Sequence, residues 1–219
     1  MPVTRTPYAP PPDTPPVVHH ADNHLIIVEK PNGLLSVPGR GPDKADCLEA
    51  RVRRTHADAL TVHRLDMETS GLVLFARGPD AQRELSKLFE ARSVGKSYVA
   101  CVHGRPVDDE GVIDLPLSAD WPNRPMQKAD ARGKPARTRW EVVERGTDRT
   151  RLKLFPSTGR THQLRVHLFT IGHPILGDTL YGGVESRSAS NRLLLHASRL
   201  CFIHPATGLQ IDVASPVPF

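Results

Sequence analysis

The sequence predicts a strand-rich α+β protein folded as one large domain, and three observations point there. Apolar runs of strand length recur at 24–30, 72–76, 96–104, 136–145 and 149–155. Three further stretches, 47–57, 79–92 and 156–168, read as helices. No internal repeat and no linker breaks the 219 residues into independent pieces.

Residues 1–18 hold seven of the 21 prolines, including Pro10-Pro11-Pro12. Such a run favours extended polyproline and makes few ladder bonds, so a loosely ordered arm is expected ahead of a domain at 19–219. The run at 24–30 reads as a strand and Pro31-Asn32-Gly33 as its turn. Asp46 stands where it would cap the helix at 47–57, which carries Arg51, Arg53 and Arg54. Next comes Val62-His63-Arg64-Leu65-Asp66-Met67-Glu68-Thr69-Ser70-Gly71, then the run Leu72 to Ala76. That grammar puts polar groups on a loop between buried strands, where chemistry tends to sit. The helix at 79–92 opens on Pro79 and shows a stripe of Leu85, Leu88 and Phe89.

The strand at 96–104 alternates, and 105–135, with five prolines, reads as irregular. Within it Trp121 stands beside Arg124 and Lys128, a composition that suits a loop contacting RNA and equally a packed insertion with solvated charges. The runs at 136–145 and 149–155 make a hairpin around Gly146-Thr147-Asp148. The last helix ends at Gly172, a suitable C′ residue, with Pro174 beyond it.

Lys plus Arg is 29 and Asp plus Glu 24, a net charge of +5 that fits an anionic partner. No apolar stretch approaches the roughly 20 residues that span a bilayer, and no secretory signal opens the chain. The three cysteines are odd in number and far apart, which fits reduced thiols in the cytoplasm. Gly95-Lys96-Ser97 imitates a phosphate-binding loop, but Glu90 stands where its first glycine belongs, so no nucleotide site is expected. His162 and His167 are five apart, which turns them off a shared helix face, and no metal site is expected from them.

An isolated H-R-L-D reads most simply as a surface turn in which Asp66 pairs with Arg64. Here it is one of several motifs. His63-Arg64-Leu65-Asp66 with Thr69-Ser70-Gly71 resembles the active-site motif of the RluA family of pseudouridine synthases. Residues 30–38 are similar to the family's K-P-x-G-L-x-x-x-P, and 96–104 to its K-x-Y-x-A-x-V-x-G. Residues 158–167 resemble its T-G-R-x-H-Q-L-R-V-H helix, 172–181 its G-H-P-I-x-G-D-x-x-Y loop, and 192–197 and 200–205 its two closing strands. The D-W-P-N-R-P stretch at 120–125 resembles that of a compact member without the S4-type domain that precedes many relatives.

The resemblance implies a pseudouridine synthase fold, with a long mixed, mainly antiparallel sheet, flanking helices and a central catalytic cleft. It implies Asp66 as the catalytic carboxylate and Arg165 as the guanidinium that keeps it ionised. Tyr98 would stack on the uracil, Arg64 fill the space of the flipped base and Leu195 line the pocket. The substrate would be RNA, in stem-loops of 23S rRNA (uridine 746) and the tRNA anticodon arm (uridine 32). A monomer with no cofactor is expected. Three other readings stand beside this one: an enzyme of the same family acting on rRNA alone at other uridines, a non-catalytic RNA-binding protein, and a glycosidase using Asp66 and Glu68. Aromatic content of 5% leaves a glycosidase few sugar platforms.

Overall fold

A computed structural model describes residues 8–219. Twelve strands and four short α-helices lie among them, and ten of the strands belong to one large sheet. The chain forms two compact units that are not consecutive in sequence. Among the described residues the first takes 8–96 and again Ala197–Pro218, and the second is the segment Ser97–His196 with Phe219.

The first unit is built on β2 (Leu25–Lys30) and β4 (Ser70–Arg77), paired antiparallel from Leu25↔Ala76 to Lys30↔Gly71. Both are buried almost throughout, which is why they read as apolar runs without alternation. β1 (Val18–Ala21) pairs with β2, and β3 (Ala59–Thr61) with β4. β11 (Leu195–Ile203) and β12 (Gln210–Ala214) form an antiparallel pair. Helix α2 (Gly78–Glu90) lays Leu85, Leu88 and Phe89 on Leu25, Leu72 and Leu74, the stripe expected from sequence. Gly71, at φ 113°, faces the Ala197 backbone so closely that a Cβ would lie 2.3 Å from its carbonyl oxygen, so only glycine fits.

In the second unit β5 (Gly95–His103), β10 (Arg149–Pro156), β9 (Arg137–Arg145) and β6 (Glu110–Asp114) pair antiparallel in that order. Alternate residues Leu152 and Leu154 turn into a core with Ala100, Val102 and Trp140. Helix α3 (Gln163–Thr170) closes that core with Leu164 and Leu168, and Gly172 follows it at φ 85°. A ribbon of β7 (Leu117–Ala119) and β8 (Gln127–Ala129) and a short helix α4 (Val184–Ser188) complete the unit.

Several expectations are corrected. The arm, from Tyr8 onward, is not loose; residues 1–7 lie outside the described residues. The Tyr8 hydroxyl donates to the Asp46 carbonyl and accepts from the Leu35 N–H. Arg51, buried, donates to the carbonyls of Pro11 (2.8 Å) and Pro12 (2.9 Å), and Asp13 pairs with Arg54. Proline lacks an N–H but keeps its acceptor, and these carbonyls are used. Asp46 does not cap the helix at 47–57; its carboxylate forks onto Arg51 while the Cys47 sulfur accepts the Ala50 N–H, and α1 covers only Leu48–Arg53. The stretch 105–135 holds three strands, and the two closing strands are one, β11.

Candidate active site

The loop that carries Asp66 joins β3 to β4 and is held by its main chain. Lys30, fully buried at the end of β2, needs acceptors for its ammonium group. It donates to the carbonyls of Pro31 (2.9 Å), Leu34 (2.6 Å) and, across on the loop, Met67 (2.9 Å). The Gly33 N–H donates to the same Met67 carbonyl and the Asn32 amide to that of Glu68. The Ser36 hydroxyl takes both main-chain groups of Leu65, donating to its carbonyl at 2.8 Å and accepting its N–H at 3.0 Å. His63 accepts the Leu74 N–H through Nε2 and stacks on Phe89. Burial, then the nearby Lys96, pushes the His63 pKa down from 6.5 to about 3, so the ring stays neutral and keeps that lone pair.

These anchors engage residues 63, 65, 67 and 68 and none of them uses the Asp66 carboxylate. Asp66 is half-buried and Arg64 exposed. The loop is thus fixed while none of these anchors engages its acid, an arrangement that suits an active-site carboxylate.

The remaining expected site residues lie in the second unit. Tyr98, on β5, is half-buried and packs against the cluster that contains Leu195 and Leu164. Leu195 is itself a core residue, 2% exposed. Arg165, on α3, is 2% exposed and donates to Asp178 through Nε (2.8 Å) and Nη2 (2.7 Å). Asp178 is wholly buried and also accepts the N–H groups of Leu180 and Tyr181. Burial alone would raise its pKa, but Arg165 and the two N–H groups outweigh that and hold it below the usual carboxylate value. The Arg165 guanidinium also lies over the Tyr181 ring, 5.3 Å from its centre.

Trp121 is 67% exposed on a single 3-10 turn, with the Arg124 guanidinium stacked 3.4 Å from its ring centre. Lys128 is exposed on β8. Sequence reasoning missed Lys30, Ser36, Asp178 and Tyr181. The signal available for the Asp178–Tyr181 pair was their D-x-x-Y spacing after Gly177.

Among the described residues, Asp22, His24 and His204 are the group placed to share a metal ion. The Nδ1 of His204 accepts the N–H groups of Ala206 and Thr207, so the ring proton sits on Nε2, the atom 3.2 Å from Asp22. A metal needs that lone pair, and the group does not fit one. No helix among the described residues is long and apolar enough to cross a membrane.

Comparison with known proteins agrees on one family. The family model described as RNA pseudouridylate synthase matches residues 24–169. The chain is 49% identical over 214 residues to the dual-specificity RNA pseudouridine synthase RluA of Escherichia coli strain K12, covering 97% of this chain and 98% of that protein. It is 50% identical over 194 residues to the protein of the same name from Yersinia pestis, covering 88% and 94%. Among solved structures, human RNA pseudouridylate synthase domain containing 1 superposes with a TM-score of 0.80 at 27% identity, over 96% of this chain and 87% of that one.

Proposed function

Because the chain belongs to the RNA pseudouridylate synthase family, we propose that it isomerises uridine to pseudouridine in stem-loops of both 23S rRNA and tRNA. The sites it takes are uridine 746 of 23S rRNA and uridine 32 of the anticodon arm. The observation that carries the reading is the Asp66 loop, anchored through its main chain on Lys30, Asn32, Gly33 and Ser36 with the carboxylate outside the anchoring set. The relatives of nearly equal length whose names carry dual specificity support the substrate range.

In the reaction the bond from C1′ to N1 breaks, the uracil turns, and C5 bonds to C1′. C5 loses a proton and N1 takes one up. Asp66 acts at C1′, either attacking it or assisting loss of the base through a glycal; both routes need the charged carboxylate. Arg165, oriented by Asp178, supplies positive charge to the reacting centre and keeps the acid ionised. Tyr98 stacks on the uracil, with Leu195 in the apolar wall behind it. A base that leaves its stack costs a few kcal/mol, and the exposed Arg64 fills the space it vacates. Trp121 and Arg124, stacked and exposed, and Lys128 contact the RNA. The catalytic domain spans 19–219 together with the proline-rich segment packed on it, and works in the cytoplasm as a monomer without metal.

The test is to incubate purified protein with minimal tRNA anticodon and 23S stem-loops and to map pseudouridine in the product. Both RNAs should be modified. Asp66→Asn, which removes a charge and almost no volume, should abolish the product and leave RNA binding within a few-fold. Modification of intact ribosomal subunits but of neither stem-loop would defeat the substrate assignment, and multiple turnover by Asp66→Asn would defeat the mechanism.

A further inference from the structure

His162 stands in an unusual backbone state. Its φ of 54° and ψ of 19° are left-handed, and among the described residues Arg92 is the one other non-glycine with positive φ. Arg92 follows the last turn of α2, where a left-handed residue is common. His162 instead precedes α3, where an extended backbone is the rule, and its side chain makes no capping bond to that helix. Glycine or asparagine would hold this conformation with less strain. A histidine kept in such a state points to a use for its ring.

The ring is held by a phenol. The Tyr181 hydroxyl oxygen, in a side chain that is almost wholly buried, accepts the Gln127 N–H at 2.7 Å and lies 2.7 Å from His162 Nδ1. The phenol oxygen already accepts the Gln127 N–H, and its own O–H has His162 Nδ1 as its acceptor. The phenol proton therefore goes to Nδ1, and a neutral imidazole must then carry its own proton on Nε2. Tyr181 is fixed in turn: Asp178 accepts its main-chain N–H, and Arg165 locks Asp178. Gln127 opens β8, directly after the turn that presents Trp121 and Arg124. The network thus ties His162 to two elements to which function has already been assigned.

We infer that His162 contacts the RNA substrate by presenting Nε2–H to one of its oxygen acceptors, with Tyr181 as the positioning residue that fixes this tautomer. The inference rests on the pseudouridine synthase reading above. Phosphate, sugar and uracil carbonyl oxygens are all acceptors that a preset N–H donor suits.

Three measurements test it, beginning with wild-type protein that has been shown to modify a stem-loop. Nitrogen-15 spectra of the His162 ring should show the Nε2–H tautomer, and Tyr181→Phe, which keeps the ring, should turn it into a mixture. His162→Gly, which removes the imidazole but is at ease in the left-handed region, should lower kcat/KM at least tenfold at an unchanged melting temperature. His162→Asn, which tolerates the backbone and restores an N–H donor, should recover part of that loss. A loss confined to KM assigns the acceptor to the RNA backbone, and a loss in kcat assigns it to the reacting uracil. An Nδ1–H tautomer in the wild type overturns the role of Tyr181, and His162→Gly with kcat and KM within twofold of wild type overturns that of His162. If the wild type modifies no RNA, the functional reading fails first, and the tautomer spectrum still decides the role of Tyr181.

Discussion

Asp178→Asn isolates the worth of the charge that faces Arg165. The asparagine oxygen can still accept the N–H groups of Leu180 and Tyr181, so the change falls on the fork to Nε and Nη2, at 2.8 and 2.7 Å. Both partners are buried, at 2% and 0% exposure, so the guanidinium loses in a dry setting the carboxylate that fixes it. Breaking such a pair from one side costs about 3–5 kcal/mol, which in a chain of this size lowers the melting temperature by roughly 6–20 °C. Arg165→Met should cost a similar amount by stranding the carboxylate. The double variant removes both charges and should be less damaged than the two singles added together, by about 2–3 kcal/mol. Urea unfolding of all four proteins at pH 7 measures the cycle. Because the folded carboxyl titrates below its ordinary value, its stabilisation is full above the unfolded pKa and is lost as pH falls through the folded one. Asp178→Asn should flatten that acid limb. Strict additivity in the cycle, or a single-variant loss below about 1 kcal/mol, would refute the argument that the pair acts as a buried unit.

Two further outcomes are expected. Deleting residues 1–16 removes the Tyr8 hydroxyl bonds, the proline carbonyls on Arg51 and the Asp13–Arg54 pair, and should lower stability by about 2–4 kcal/mol; a melting temperature within a degree of the full chain would show the segment to be idle. The unfolded chain protonates His63 near 6.5 and the folded one only near 3, so stability should decline across that window as pH falls, by at most about 1.4 kcal/mol per pH unit. His63→Gln should lose that slope, and an unchanged acid titration of stability in this variant would show that the ring is protonated in the fold.

Local pattern carried much of this architecture. The hairpin expected at 136–145 and 149–155 matches β9 and β10 to within a residue, because alternation and a Gly146-Thr147-Asp148 turn are both local signals. The Asp66 loop was legible for a like reason, as a polar string between two apolar runs. What escaped depends on partners distant in sequence. Strands β1, with two histidines, and β12, with Gln210 and Asp212, have little strand character of their own and form because β2 and β11 offer ladders. The proline-rich segment is ordered by an arginine about 40 positions away, and Asp178 matters through Arg165 thirteen positions back. Lys30 read as the polar end of a strand until the Met67 carbonyl, 37 positions on, explained its burial.

The non-consecutive make-up of the first unit bears on how the protein is made. The ribosome delivers residues in order, so Ser97–His196 emerges as one unbroken segment able to begin folding as a unit. The unit that holds Asp66 starts earlier and finishes later, since Ala197–Pro218 must arrive before β12 can pair with β11. Until then Gly71, at the head of β4, faces a gap that the Ala197 backbone will fill, and a pairing across more than a hundred residues is slow to form. A nascent chain can therefore contain Asp66, Tyr98, Arg165 and Leu195 and still lack the last strands of the unit that carries the Asp66 loop, so that unit is completed only at the end of translation.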